Sequence, residues 1–437
     1  MWCLISQPNS VVFEVRVDPK AIGQECLEKA CEYLGITHEA DYFGLKYENS
    51  RGEELWLNLR NPIDRQVNCH AVPLRFSLRV KFWIPPHLLL QDTTKHQFYL
   101  NAKHDLLDKS LLVDNWETVS YLIALIAQAE EIDYDPIHPP HTVYLQTSTI
   151  SAVDCLEKPQ DLLHKIIEEH KRLKGGKRST AEYWLLKAVS EQETFGEERF
   201  HAVTKQHPHE SLSVGVGPHG ISISSENKEK QLITFSSVIS ASSQKRNFRF
   251  GYLLEDGSTT ELEVKLDSSH LASGLYRALT EKHAFYSCET VTSAVMAQCI
   301  RDLKGIIVSI FNEDSNQGKK YVFDIRRTCR EVYDGARRAI YQENNLQSTE
   351  QSNTKCQDHE DNCKDSQEKY LRLLDSMLCK ICMDSQIDTA FLPCGHVLAC
   401  NHCALRCDKC PICRTDIKQS QKLFLPVEFR TTERIEC

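Results

Sequence analysis

Three things are scarce in this 437-residue chain. No apolar run reaches membrane-spanning length, and the opening Met1-Trp2-Cys3-Leu4-Ile5-Ser6 lacks the basic stretch and apolar core of a secretory leader. Positive charge is not in excess: 52 Lys and Arg against 61 Asp and Glu leave a net charge of −9, which argues against nucleic acid as the main partner. Cysteines are few where a disulfide framework would need them. Of the 19, only Cys3, Cys26, Cys31, Cys69, Cys155, Cys288, Cys299 and Cys329 precede Cys356, each on its own. That scatter fits ordinary buried thiols in a reducing compartment, so a cytoplasmic protein is expected.

The C-terminal stretch is the opposite. Cys379-x2-Cys382, Cys394-x-His396, Cys400-x2-Cys403 and Cys410-x2-Cys413 set out eight metal ligands. Seven thiolates and one imidazole at these spacings make two tetrahedral zinc sites, so two Zn2+ per chain are expected. All positions around each metal are then filled by protein, which leaves none for a substrate. The metal is scaffold, and the module works by presenting a surface. Cys407 and His402 lie nearby but off register, leaving a one-position alternative open at either place.

A chain of this length exceeds what one core supports, and two to four domains are expected. From Glu343 to Lys369 the composition is polar, with Leu346 the sole large aliphatic, and reads as a disordered linker. Cys356, His359 and Cys363 within it offer three further ligand types, more often just solvent-exposed side chains on such a segment. Tyr370, Leu371, Leu374 and Leu378 then recur at helical spacing.

The body before the linker changes pattern twice. Val11, Phe13, Val15 and Val17 alternate as a strand, Ile22, Cys26, Leu27, Ala30, Cys31 and Leu34 trace a helical face, and Leu74, Phe76, Leu78, Val80 and Phe82 alternate again. Arg75, Arg79 and Lys81 fall on the other side of that last strand, its expected wet face and a candidate contact for anionic lipid. Residues 1–82 thus describe a compact α+β unit of ubiquitin-like size. Over 83–195 the period becomes helical, as in Val119, Leu122, Ile123, Ile126 and Ala127, and predicts a bundle. Over 196–290 seven short strands are expected, at 200–205, 211–216, 220–224, 231–236, 238–243, 247–254 and 259–266, then one helix capped by Asp267 or Ser268. Seven strands closed by a helix is the order of a pleckstrin-homology or phosphotyrosine-binding-like fold.

That succession, with Asp41-Tyr-Phe-Gly-Leu45, Trp56-Leu-Asn-Leu59, Arg79-Val-Lys-Phe82 and His283-Ala-Phe-Tyr286, resembles the three-lobed FERM domain of band 4.1 and ezrin relatives. The zinc pattern resembles the RING finger. That resemblance implies a cross-brace, with Cys379, Cys382, Cys400 and Cys403 on one ion and Cys394, His396, Cys410 and Cys413 on the other. A FERM body joined to a terminal RING is similar to the myosin regulatory light chain-interacting protein family of inducible lipoprotein-receptor degraders. Thr290-Val-Thr-Ser-Ala-Val-Met296, Arg301-Asp-Leu-Lys-Gly305 and Gly318-Lys-Lys-Tyr-Val-Phe-Asp-Ile325, in a C-terminal extension at 291–342, add to that likeness. Cys379-Lys-Ile-Cys-Met-Asp384, Pro393-Cys-Gly-His396, Cys410-Pro-Ile-Cys-Arg414 and Leu423-Phe-Leu425 are also similar to the RINGs of inhibitor-of-apoptosis proteins.

These resemblances imply a ubiquitin ligase with no covalent ubiquitin intermediate. Ile381, Leu405, Pro411 and Ile412 would meet a ubiquitin-conjugating enzyme, and Arg414 would bridge that enzyme and ubiquitin. The RING module with its flanking helix and tail spans 370–426, and Leu423, Phe424 and Leu425 would form a homodimer contact. In the third lobe, a client peptide would add beside Val238–Ser243 and lie against Ser273, Tyr276 and Thr280. The implied clients are cytoplasmic tails of lipoprotein receptors or cytoskeletal proteins, at the plasma membrane or endosomes. A non-catalytic cytoskeletal adaptor, or a ligase for caspase or immune-signalling clients, is the alternative.

Overall fold

The computed structural model describes residues 1–18, 20–67, 73–113, 115–147, 159–204, 211–225, 228–254, 256–291, 325–352, 379–382, 385 and 387–423. It divides into two units, residues 1–345 and 346–437.

The first lobe is a five-stranded sheet of β1 (Trp2–Ser6), β2 (Val12–Arg16), β3 (Phe43–Glu48), β4 (Glu54–Trp56) and β5 (Leu74–Val80), ordered β2-β1-β5-β3-β4. β1 runs parallel to β5, and the other pairs are antiparallel. Period-two burial puts Phe13, Val15, Leu74, Phe76, Leu78 and Val80 inward, together with Cys26, Leu27, Ala30 and Cys31 of α1 (Gly23–Tyr33). Cys3 and Ile5 of β1 join them.

The second lobe is helical: α2 (Asp92–Leu107), α3 (Trp116–Ala129), α4 (His141–Thr147), α5 (Pro159–Leu173) and α6 (Arg178–Ser190). α3 is its centre, with Val119, Leu122, Ile123, Ile126 and Ala127 all buried. Buried His170 is satisfied at both nitrogens, 2.6 Å from the Tyr144 hydroxyl and 3.0 Å from the Ile132 carbonyl.

The third lobe is a seven-stranded antiparallel sheet closed by a helix. Its strands are β6 (Glu198–Thr204), β7 (Ser211–Gly217), β8 (Gly220–Ser225), β9 (Lys228–Ile233), β10 (Val238–Gln244), β11 (Asn247–Leu253) and β12 (Thr259–Leu266). The order β10-β11-β12-β6-β7-β8-β9 leaves β10 at an edge. Ser268 caps α7 (Ser269–Ser287) by accepting from Leu271 N at 3.1 Å, and Leu275, Ala278 and Leu279 pack onto the sheet's own core.

Side chains lock the lobes together. Phe285 of α7 stacks on Phe82 with centroids 4.1 Å apart, and Tyr286 donates its hydroxyl to the Trp83 carbonyl at 2.9 Å. Gly196 has φ 65°, and a Cβ there would fall 2.7 Å from Trp83, so backbone conformation and close approach both require glycine.

Residues from Ile325 onward return to the first lobe. Arg327 pairs with Asp41 and Arg326 with Glu28, while buried Ile325, Val332 and Ala336 mark the inner side of this segment, the first two within the shared core. Helix α8 (Cys329–Ser352) carries Val332 and Ala336 and runs through residues 343–352, which composition assigned to the linker. Tyr341-Gln-Glu-Asn-Asn-Leu-Gln347 is polar but rich in adequate helix formers, and extending a helix already nucleated by packing costs little. Residues 353–378, including Cys356, His359, Cys363 and the predicted flanking helix, lie outside the described residues.

The second unit is small. β13 (Thr389–Leu392) sits between β14 (Val397–Ala399) and β15 (Gln419–Lys422), and α9 (Asn401–Ala404) follows β14. Phe391, Leu398, Ala399 and Ala404 form its apolar core with four of the cysteines.

Candidate functional site

Cys379, Cys382, Cys400 and Cys403 form one group in which all four sulfurs lie within 4.8 Å of one another. Cys394, His396, Cys410 and Cys413 form a second with the same closeness. The interleaved pairing implied by the RING resemblance is therefore the spatial grouping. The first pair of knuckles is joined by β13, β14 and the start of α9, so the ladder sets the distance between ligands far apart in sequence.

The geometry fits zinc. A tetrahedral ion at about 2.3 Å from each sulfur separates two sulfurs by roughly 3.8 Å, and Cys382 Sγ lies 3.8 Å from Cys400 Sγ. His396 Nδ1 is buried without a hydrogen-bond partner, an arrangement that is costly for a polar atom and natural for a metal ligand. Burial opposes ionisation of Cys379, but backbone N–H groups of Cys382, Cys400 and Ile381 outweigh it and bring the thiol down to about 6. Hydrogen bonds with the side chain and backbone of Thr415 bring Cys413 to about 6 as well. Thiolate is the metal-binding form, and these two are the more readily ionised sulfurs of their groups, whereas burial pushes Cys400 and Cys403 up. Cys407 is in neither group; its sulfur faces the Cys403 carbonyl at 3.4 Å.

Around the zinc module the sequence-predicted surface residues are open. Leu405 is 72% exposed, Ile412 62% and Ile381 38%, and Pro411 and Arg414 are exposed too. None of the five belongs to the module's core, so packing does not explain three branched aliphatic side chains at these positions. Arg414 stands in the left-handed region with φ 58°, its N–H donating to the Cys410 carbonyl at 2.8 Å. Leu423 N donates to Asp388 O at 2.6 Å and carries the β13–β15 ladder one residue further. Phe424 and Leu425 lie outside the described residues.

The predicted client residues divide. β10 pairs only with β11 among the described strands, so its outer edge offers backbone groups beside α7, with Ile239 40% exposed on it. Tyr276 packs against the third lobe's core, and the Thr280 hydroxyl donates back to the Tyr276 carbonyl at 2.9 Å. Ser273, however, borders a cleft of about 160 Å³ with Tyr47, Trp56 and Arg277, on the side of α7 that faces the first lobe.

The wet face expected for Arg75, Arg79 and Lys81 is corrected. Arg75 is exposed, but Lys81 is 6% exposed and lies 2.7 Å from Glu281 of α7, while Arg79 is half-buried with Nη2 2.9 Å from His104 Nε2. Helices α2 and α7 cover the end of β5, which no pattern within the strand reveals. Burial would raise the Glu281 carboxyl, but Lys81 and Arg277 more than offset it and hold it below the usual range.

A third group of ligand types, His104, Asp105 and Asp108, was not anticipated and borders a mixed-charge cleft of about 630 Å³ where the three lobes meet. It is a poor cation site, because the Arg79 guanidinium already occupies the His104 ring nitrogen. Burial, then Arg79, lowers the His104 pKa, and burial with neighbouring Asp108 pushes Asp105 up to about 7.

Comparison with known proteins finds three family matches along the chain. Residues 5–69 match the FERM N-terminal domain, 85–200 the FERM central domain, and 375–420 the C3HC4-type zinc finger, or RING finger. The Protein 4.1 homolog of Drosophila melanogaster is 26% identical over 64% of this chain and 16% of its own length. Protein 4.1 of Bos taurus is 26% identical over 65% of this chain and 45% of its own. The chain thus spans less than half the length of these relatives. The FERM and C-terminal domain complex of Drosophila Merlin superposes with a TM-score of 0.55 at 20% identity, over 65% of this chain and 96% of that one. The chain carries FERM N-terminal and central domains and a C-terminal RING-type zinc finger.

Proposed function

We propose that this protein is a RING-type E3 ubiquitin ligase whose FERM lobes choose the client. The observation that carries the proposal is the exposed aliphatic set around a closed zinc scaffold: Ile381, Leu405 and Ile412, with Pro411 beside them. A module holding metal only for assembly has no need to keep such side chains in water. With zinc bound at each of the two groups, two ions per chain, the knuckles are rigid and this surface can receive a ubiquitin-conjugating enzyme. Arg414 then donates from the surface to the enzyme and its ubiquitin. A client lysine attacks the thioester carbonyl, the conjugating enzyme's cysteine leaves as thiolate, and no residue of this chain bonds to ubiquitin. Its contribution is positioning.

The client side rests on the outer edge of β10 beside α7, which no described strand pairs. An extended peptide adds there by backbone hydrogen bonds, with Tyr276 and Thr280 flanking it, while Ser273 on the same stripe also borders the cleft toward the first lobe. Resemblance to the myosin regulatory light chain-interacting protein family makes cytoplasmic receptor tails or cytoskeletal proteins the client class, at the cytosolic face of a membrane. Leu423, Phe424 and Leu425 pair two RINGs into a homodimer.

The test is autoubiquitination with purified activating and conjugating enzymes. Wild-type protein builds chains, and Cys394→Ser abolishes the reaction and lowers zinc content while the FERM lobes stay folded. Full activity in Cys394→Ser refutes the zinc-dependent RING as the source of the reaction, and a wild-type protein inert with every conjugating enzyme leaves a non-catalytic adaptor as the reading.

A further inference from the structure

The two edges of the first lobe's sheet are treated differently. At the β4 edge, Arg277 of α7 donates to the Trp56 carbonyl at 3.4 Å. At the opposite edge, β2 pairs only with β1 among the described strands. Val17 N donates to Met1 O at 3.1 Å and Gln7 N to Val11 O at 2.8 Å, so the odd-numbered residues of β2 turn their backbone groups toward β1. Alternation then leaves the N–H and C=O groups of Val12, Glu14 and Arg16 along the outer edge. Among the described residues only Lys29 Nζ reaches them, donating to the Arg16 carbonyl at 3.0 Å.

A row of open backbone groups is a template for another strand. Glu14 and Arg16 do not block it, because their side chains stand across the sheet while the backbone groups lie in its plane. Apolar side chains flank the row: Val11 and Val12 are exposed, as is Trp2 across the ladder from Arg16. Tyr33 of α1 is 66% exposed and stacks on Phe13 with centroids 4.4 Å apart, which extends an aromatic wall beside the strand. Strand and helix therefore border a groove that is apolar at the Val12 end and basic at the Arg16 end. Lys29 is paired there with Glu25 at 2.9 Å, and Asp18 accepts from Lys20 N at 2.8 Å, but the exposed Arg16 and Lys20 side chains have no ion pair among the described residues.

We infer that the β2 edge beside α1 binds an extended peptide of a partner protein, in the order acid, apolar, any residue but an acid, apolar, apolar. Antiparallel addition, the more stable arrangement per residue, sets these five opposite Arg16, Val15, Glu14, Phe13 and Val12 in turn. The acid meets Arg16 on the outer face, and Glu14 repels a second one. Residues opposite Val15 and Phe13 turn toward α1, the latter against Tyr33, and the last joins exposed Val12. Main-chain bonds to Val12 and Glu14 supply affinity, and the side chains supply choice. This edge belongs to a different lobe from β10, and the inference does not rest on the ligase reading.

The test pans a phage-displayed random peptide library over the full-length chain, then measures selected peptides by fluorescence anisotropy and by hydrogen exchange of the protein. Peptides with the stated order are enriched, and their binding slows exchange of the Val12 and Glu14 amides. Arg16→Glu weakens them by about tenfold, and a peptide with lysine in place of its acid regains binding to that variant. Tyr33→Ser weakens them by about tenfold as well. Val12→Pro removes an edge N–H at the first residue of the strand, where proline is tolerated, and abolishes binding. Each variant keeps the wild-type thermal midpoint. Selected peptides that bind Arg16→Glu as tightly as wild type, or that leave both amides exchanging freely, overturn the proposal, as does a library that yields no such order. So does slowed exchange of the same amides in the protein alone that grows with its concentration, which assigns the edge to a second copy of the chain.

Discussion

Lys81→Met tests the joint between the first and third lobes. Glu281 is 3% exposed, and removing Lys81 from 2.7 Å leaves it only Arg277, at 3.3 Å and 29% exposed. Breaking a buried pair from one side costs about 3–5 kcal/mol, and the surviving arginine puts this case near 3 kcal/mol. Glu281→Gln strands Lys81 instead, but Trp56 and Phe82 present their rings at 5.7 and 5.6 Å. Cation–π attraction offsets part of the loss and brings that cost to about 2 kcal/mol. The double variant removes both charges and should cost less than Lys81→Met alone, a coupling of about 2–3 kcal/mol. Urea unfolding followed by tryptophan fluorescence and circular dichroism gives all four corners of the cycle, with Trp56 as a reporter at the joint. A double variant that costs the full sum of the two singles would refute the argument.

Three further outcomes follow from the geometry. Ile381→Ala should keep a full zinc complement by elemental analysis yet lower capture of the charged conjugating enzyme by about 2 kcal/mol, roughly thirtyfold, if Ile381 is a hot spot of that surface; zinc loss alongside activity would make it core. Asp105 has its folded pKa raised from 3.8 to about 7, so the stability it leaves intact at pH 4 is lost as pH rises towards 7. Asp105→Asn should therefore stabilise the FERM lobes by about 1–2 kcal/mol at pH 8, after discounting for partial exposure, and leave them unchanged at pH 4 in parallel melts. Charged replacements at Leu423 and Leu425 should give a zinc-loaded monomer that no longer builds chains, and a wild-type monomer in sedimentation that still builds them would remove the tail from the dimer.

The eight candidate ligands were legible because metal chemistry fixes ligand type and spacing locally, whereas their interleaved grouping came from the RING resemblance. The third lobe's strands were also legible, each beginning within about three residues of its expected start, because turns and alternation are local signals. β1 escaped notice because its outward residues, Trp2 and Leu4, are as apolar as its inward Cys3 and Ile5. Lys81 looked like a wet charge because its partner Glu281 lies on a helix of another lobe. Ser273 and Tyr276 share a stripe of α7, yet Ser273 borders the cleft toward the first lobe and Tyr276 packs on the third lobe's core, a difference that spacing does not reveal.

The return of Ile325 and Val332 to the core shared with the first lobe sets a timetable for the nascent chain. The first lobe's last strand ends at Val80, and the residues that cap its apolar surface are translated about 250 positions later. At roughly 5–20 residues per second, that surface stays uncovered for about 12–50 s of synthesis. Throughout that interval the first lobe lacks part of its final cover. A truncation before residue 325 removes both Ile325 and Val332 from that core.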